Sequence, residues 1–356
     1  MGAKIVRFIL FIFLLCGCSK PGEVGIEVSS NGDGKGNDTI KWEIFPRIKG
    51  SVKIYSFLHP DYPEFREFEK EVPIIENKVI IQSSKLHSVR KYYYLEFDNT
   101  YTIIVANRFE KVDSIMNLRD LGGYKTNENK TVKWGKFFCS GRLKIKDSGK
   151  PLFNSLQIKT VIDLRSKDER KQRKDRKKIN ANIINIPINA CDFSSKISSL
   201  KENQFDKDNA YEFMQQSFKS LVTDYQPEFS HLFNILLDSL NYPILINCNA
   251  GNDRCGFATA ILLSALGVPK DQVFASYLST YSIRNIRREG HYAYSFSPEA
   301  QEAVTILLSS NEKFLNAAFQ EIDAVYGSMD AYLEKGLNLN AEKRKRLQNL
   351  LLEDHF

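Results

Sequence analysis

The chain has 356 residues, 50 Lys and Arg against 43 Asp and Glu, and a formal net charge of +7, with 42% hydrophobic and 12% aromatic residues. That much apolar material, beside only 19 glycines and 11 prolines, excludes a disordered or collagen-like chain and suits about two domains. The positive excess is modest, and its one dense basic run has no interleaved aromatics, so no nucleic-acid partner is expected.

Lys4 and Arg7 precede an apolar run from Phe8 to Leu15 and then Cys16-Gly17-Cys18. Eight apolar residues are too few to span a bilayer as a helix, and the charged-then-apolar order is that of a secretory signal. The ending is similar to a bacterial lipobox, which implies removal of residues 1–17 and acylation of Cys18. The expected product is a membrane-anchored lipoprotein of a bacterial cell envelope, facing the periplasm or the surface. Residues 18–38, rich in Gly, Ser, Asn and Asp, are expected to be a flexible tether.

Residues 39–110 hold short runs of β-branched and aromatic residues: Ile40 to Phe45, Val52 to Leu58, Lys78 to Ile81, Tyr92 to Phe97 and Thr100 to Val105. Ile40, Trp42 and Ile44 alternate with polar neighbours, and Asp98-Asn99 supplies a turn, which predicts a small all-β domain, an Ig- or fibronectin-like sandwich. His59 and His87 are isolated and carry no catalytic expectation. From residue 111 to 356 the period changes. Thr160 to Leu164 and Pro243 to Ile246 read as buried strands, Phe229 to Leu240 as an amphipathic helix and Gly256 to Leu266 as a buried one. Strands alternating with helices predict an α/β domain with a mostly parallel central sheet flanked by helices.

The chemistry concentrates where a strand meets a helix, at Ile246-Asn247-Cys248-Asn249-Ala250-Gly251-Asn252-Asp253-Arg254-Cys255-Gly256. Such a loop presents unpaired N–H groups and the positive end of the helix dipole to an anion. A cysteine at its start has its thiol pKa lowered and becomes a nucleophile, and an arginine six positions later can grip two phosphate oxygens.

This loop resembles the HCxxGKDRTG loop of bacterial tyrosine and phosphoinositide phosphatases in the cysteine-dependent phosphatase superfamily. Asn117-Leu118-Arg119-Asp120-Leu121-Gly122-Gly123-Tyr124 is similar to the family's FRDLGG entry segment, and Val132 to Phe138 to the hairpin after it. Asp163-Leu164-Arg165-Ser166 with Glu169 is similar to the DLRS strand end, and Tyr326-Gly327-Ser328 with Tyr332-Leu333 to the carboxy-terminal helices. The resemblance implies that Cys248 attacks phosphorus to form a phosphocysteine, that Arg254 and the loop from Asn249 through Ala250, Gly251, Asn252 and Asp253 bind the phosphate, and that no metal or other cofactor takes part. It leaves the general acid open between Asp253, inside the loop, and Asp175, which follows the DLRS strand. Arg119, Asp120, Asp163 and Arg165 are expected to position the site. The implied substrate is a phosphotyrosine-bearing protein or a small phosphomonoester.

Four positions depart from the family pattern. Asn247 stands for the histidine before the nucleophile, Asn252 for the lysine, Cys255 for the threonine or serine after the arginine, and Cys139 for an arginine in the hairpin. An alternative is therefore a pseudophosphatase, a lipid-anchored module that binds phosphorylated ligands without turnover. Lys167 to Lys178, with eight basic and three acidic residues, is expected to be a solvated face, or else to flank the cleft and steer anions.

Overall fold

In the computed structural model, residues 24–34, 36–82, 89–112, 115–171, 179–192, 194–280 and 290–354 are described. Cys18, His87 and Asp175 lie outside these residues, as does the run 172–178.

Strands with alternating burial build the first unit: β1 (Gly25–Gly32), β2 (Asn37–Phe45), β3 (Ser51–Phe57), β4 (Glu67–Pro73), β5 (Lys78–Gln82), β6 (Tyr92–Phe97) and β7 (Tyr101–Ala106). They form two antiparallel sheets, β1-β2-β5 and β4-β3-β6-β7. Ile26, Ile40 and Trp42 of the first sheet share one buried cluster with Val52, Ile54, Leu95 and Phe97 of the second. The Trp42 indole donates to the Ile74 carbonyl at 2.8 Å, so its polar end is satisfied inside that core.

The expected tether at 18–38 is corrected here. Residues 25–32 form β1, whose Ile26 pairs with Ile44 and whose Val28 pairs with Trp42. Asp33, Gly34 and Gly36 form the hairpin turn, with both glycines at positive φ and the Asp33 side chain accepting from Asn37 N–H at 3.1 Å. Polar composition misled because a half-buried strand needs an inward residue only at alternate positions, and Ile26 and Ser30 supply them. β4 was also missed: its sequence, EFEKEVP, buries only Val72.

The second unit is a five-stranded sheet built from β8 (Arg119–Asp120), β10 (Phe137–Ser140), β11 (Thr160–Asp163), β12 (Asn182–Asn185) and β13 (Ile244–Asn247), in the order β12-β11-β13-β10-β8. The first four run parallel and β8 closes the edge antiparallel. A separate two-stranded ribbon pairs β9 (Lys130–Val132) with β14 (Leu352–Asp354). The helices are α1 (Lys150–Ser155), α2 (Lys167–Lys171), α3 (Ile197–Lys201), α4 (Lys207–Thr223), α5 (Gln226–Leu236), α6 (Asp253–Ala265), α7 (Lys270–Leu278), α8 (Pro298–Leu307), α9 (Glu312–Tyr326) and α10 (Ala341–Leu351). Phe137, Cys139, Ile162, Ile244 and Ile246 face a large core shared with α4 to α9. Phe138, Val161 and Leu245 face the opposite side, against Leu152, Phe153 and Leu156. A sheet covered on both faces explains why β13 is buried throughout its length and apolar from Ile244 to Ile246.

The two units interlock. Trp134 follows β9 but packs into the core of the β unit, and its indole donates to the Ile104 carbonyl at 3.1 Å. Gly135, at φ 73°, lets Pro60 and Tyr92 come so close that a Cβ would sit 2.5 Å from Pro60 Cγ and 2.6 Å from the Tyr92 oxygen. Lys136 pairs with Asp61 across the same seam at 2.5 Å. A cleft of about 670 Å³ opens at the junction between Tyr94, Arg108, Tyr124 and Trp134, and none of its lining residues belongs to the Cys248–Arg254 loop. Gly135→Ala, strained in φ and clashing with Pro60, should cost about 1–3 kcal/mol and lower the thermal midpoint of the full chain. An unchanged melting curve would contradict this packing.

Candidate active site

The loop from Cys248 to Asn252 joins β13 to α6 between two buried parallel strands, β10 and β11. Cys248 and Arg254 are 2% and 4% exposed. No side chain caps the start of α6, which leaves its first-turn N–H groups free of side-chain competitors and directed at the loop.

The loop's shape is set from outside. Arg142 N–H donates to the Asn249 carbonyl at 3.0 Å, the Asn117 amide to the Ala250 carbonyl at 3.0 Å, and the Arg119 guanidinium to the Gly251 carbonyl at 2.8 Å. A trans peptide points its C=O and N–H in opposite directions. Three successive carbonyls held outward therefore turn the N–H groups of Ala250, Gly251 and Asn252 to the inner side. Gly251 N–H accordingly reaches the Cys248 sulfur at 3.2 Å. Gly251 is obligatory, since its φ is 82° and a Cβ would strike the backbone of Ser140 and Gly141.

Burial alone would raise the Cys248 thiol, but donation from the Cys255 thiol, the Arg254 charge and the N–H groups of Cys255 and Gly251 bring it down to about 6. Cys255 stands where the family has a hydroxyl; its thiol lies against the Ser140 and Ile246 carbonyls at 3.6 and 3.8 Å, and it is itself pushed well up by burial and by Cys248. The other departures also find places. Asn247 donates to Asp163 at 3.4 Å, Asn252 is buried beside the helix start, and Cys139 lies in β10 with its sulfur 3.1 Å from the Thr259 hydroxyl.

Arg254 crosses to the neighbouring strand ends. Its two terminal nitrogens pair with the two oxygens of Glu169 at 2.6 and 2.7 Å, and one of them also donates to the Ile188 carbonyl at 3.0 Å. Burial works against the Glu169 charge, but Arg254 and the Ser166 N–H and hydroxyl hold its carboxyl below the usual range. Ser166 and Glu169 form a reciprocal box at the start of α2: Ser166 N–H donates to Glu169 at 2.8 Å and Glu169 N–H to Ser166 Oγ at 3.1 Å. Sequence reasoning did not assign Glu169 a role. The Ser-x-x-Glu spacing directly after a strand was the available signal.

Asp163 and Arg165 bind each other, through the Arg165 N–H at 2.9 Å and its guanidinium at 3.0 Å, which stiffens the end of β11 beside Asn247. Asp120 is fully buried and faces away from the loop, accepting from Gly122 N–H at 2.8 Å and Gly135 N–H at 2.7 Å. Asp253 is half-buried with its Oδ1 enclosed and unpartnered. Burial and the adjacent Cys248 charge raise its carboxyl well above the usual carboxylate range. The site thus brings together a thiol of lowered pKa, inward N–H groups, a bidentate arginine and a carboxyl of raised pKa. Among the described residues no group of three or more His, Cys, Asp and Glu could hold a metal ion.

A family model described as "Tyrosine phosphatase family" matches residues 110–353. The chain belongs to that family. Among its relatives, a Cupriavidus necator protein named as a tyrosine-protein phosphatase is 25% identical over 64% of this chain and 84% of its own length. The triple specificity protein phosphatase PtpB of Mycobacterium tuberculosis is 26% identical over 66% of this chain and 96% of its own. Among solved structures, P. aeruginosa TpbA is 14% identical, covers 51% of this chain and 90% of its own, and superposes with a TM-score of 0.25. The family region begins at residue 110, and the β unit precedes it.

Alkylation of Cys248 by iodoacetamide, followed across pH, should reach half its maximal rate near pH 6. Cys255→Ala removes a donor to the thiolate and should move that midpoint upward. A midpoint near the ordinary thiol value of 9.0 in the native chain would contradict the described geometry.

Proposed function

We propose that this chain hydrolyses phosphate monoesters, phosphotyrosine in proteins above all, through a phosphocysteine at Cys248. The observation that carries this is the buried Cys248 sulfur, brought to a pKa of about 6 inside a ring of inward N–H groups. Family membership and the names of the two relatives support the same activity.

In the first step the Cys248 thiolate forms an S–P bond while the P–O bond to the leaving group breaks. Arg254 and the N–H groups from Asn249 to Arg254 hold the equatorial oxygens. We assign the proton delivered to the leaving oxygen to Asp253, whose carboxyl is pushed well above the usual carboxylate range by burial and by the Cys248 charge beside it. In the second step water attacks phosphorus, the S–P bond breaks to regenerate the thiolate, and Asp253 takes a proton from the water. Asp163 and Arg165 keep β11 and Asn247 in place, and Arg119 and Asn117 keep the loop carbonyls outward. A binding module without turnover would need the departures to disable the nucleophile, whereas Cys248 keeps a lowered pKa and the Gly251 N–H contact in their presence.

The two antiparallel sheets ahead of the phosphatase unit support a fibronectin-like sandwich, with three strands facing four. The charged-then-apolar start ending at Cys18 supports a lipoprotein held at a bacterial membrane, where the substrate is met at the envelope. No helix among the described residues is long and apolar enough to cross a membrane.

The purified chain should release phosphate from an aryl phosphate, and Cys248→Ser should release none. Equal rates for the two would overturn the assignment. The kcat/KM profile should rise with pH through about 6 as Cys248 ionises and fall at higher pH as Asp253 loses its proton. Asp253→Asn should lower kcat by about 10²–10⁴-fold and abolish the falling limb. A retained falling limb would place the acid elsewhere.

A further inference from the structure

Arg90 belongs to the β unit, two residues before β6, yet its side chain is committed to the phosphatase unit. It is 2% exposed, lies over the Tyr92 ring at 4.9 Å and the Phe138 ring at 5.5 Å, and donates to Glu110 and, at 2.8 Å, to Asp120 Oδ2. Asp120 in turn collects Gly122 and Gly135 N–H, so three donors from the two units meet on one buried carboxylate.

β8 consists of Arg119 and Asp120 alone. Side chains of consecutive strand residues point to opposite sides. Asp120 therefore faces the junction, while Arg119 reaches the Gly251 carbonyl at 2.8 Å. This two-residue strand pairs with Phe138 and Cys139 of β10 on one side and is bridged to Phe109 on the other, where Asp120 N–H donates to the Arg108 carbonyl at 2.9 Å, and its two side chains tie this short element to the junction and to the loop. Without Arg90, Glu110 and Asp120 would face each other as buried carboxylates lacking their shared cation, a situation that drives groups apart or forces protonation.

We propose that Arg90 is a positioning residue of the phosphatase site: by clamping Asp120 it fixes β8, and through Arg119 it holds the Gly251 peptide in the orientation that faces phosphate. The β unit is thus a working part of the catalytic loop's support. The link to turnover rests on the phosphatase function proposed above, whereas the link to loop geometry does not.

The test uses the full chain with Arg90→Met, Arg90→Lys and, as a control, Glu110→Gln, which loosens the same ion cluster but leaves the Arg90–Asp120 pair. Two quantities are read per intact Cys248: kcat for an aryl phosphate, and the ratio of alkylation rates by anionic iodoacetate and neutral iodoacetamide. That ratio reports an ordered anion-binding loop in each folded molecule. Arg90→Met should lower both by about tenfold or more, Arg90→Lys by less, and Glu110→Gln should leave both within about twofold while lowering the melting temperature. If Arg90→Met fails to fold, Arg90→Lys reads the same quantities, because lysine keeps the charge but cannot span both carboxylates. Both Arg90 variants keeping native values while melting earlier would overturn the proposal and leave Arg90 a structural clamp. A native chain without turnover, whose alkylation ratio still falls in Arg90→Met, would overturn the phosphatase function and sustain the coupling.

Discussion

A buried thiolate next to a dianionic substrate needs positive potential from all sides, and here most of it comes from the backbone. The loop supplies it only if its carbonyls are turned outward, and that is a property of the surroundings more than of the loop. Arg142, Asn117 and Arg119 each take one carbonyl, at Asn249, Ala250 and Gly251. Two of those three donors, Asn117 and Arg119, lie in the entry segment that runs into β8, and all three are more than a hundred residues from Cys248 in the chain. The entry segment is therefore the outer wall of the Cys248–Arg254 loop, and β8 is placed where it can serve that purpose.

Arg254 poses the complementary problem, a cation that must stay aimed without substrate. Glu169 solves it with two charge-assisted bonds, and the Ser166–Glu169 box solves the placement of Glu169. The loop can then lack the family's lysine and histidine and still keep its central features. The Cys255 thiol lies against the Ser140 and Ile246 carbonyls, and Asn247 touches Asp163 at the strand end.

Much of this was legible in sequence because buried parallel strands and strand-to-helix loops have strong local signatures. β11, β13 and α6 announce themselves by continuous apolar residues, and Cys248 and Arg254 by spacing together with flanking strand, glycine and helix. The role of Glu169 was not legible because it depends on two strand ends meeting in space. The weight of Arg90 was hidden for the same reason, since nothing in residues 89–92 distinguishes a surface arginine from one buried between carboxylates. β1 was misassigned because glycine and serine in a half-buried strand look like a linker when its partner is not in view. Ile26 and Val28 declare themselves only against Ile44 and Trp42.

The β unit and the phosphatase unit share Trp134, Gly135 and the Arg90 cluster, so the boundary in sequence near residue 110 is not a boundary in packing. The central claim remains the chemistry at Cys248. Mixing the full chain with an aryl phosphate, quenching in acid within milliseconds and sequencing the peptides by mass spectrometry tests it most directly. Phosphate attached to the sulfur of Cys248, accumulating early and decaying as free phosphate appears, is the predicted result. Phosphate release with no phosphorylated Cys248 at any time, or phosphate on another side chain, would contradict it.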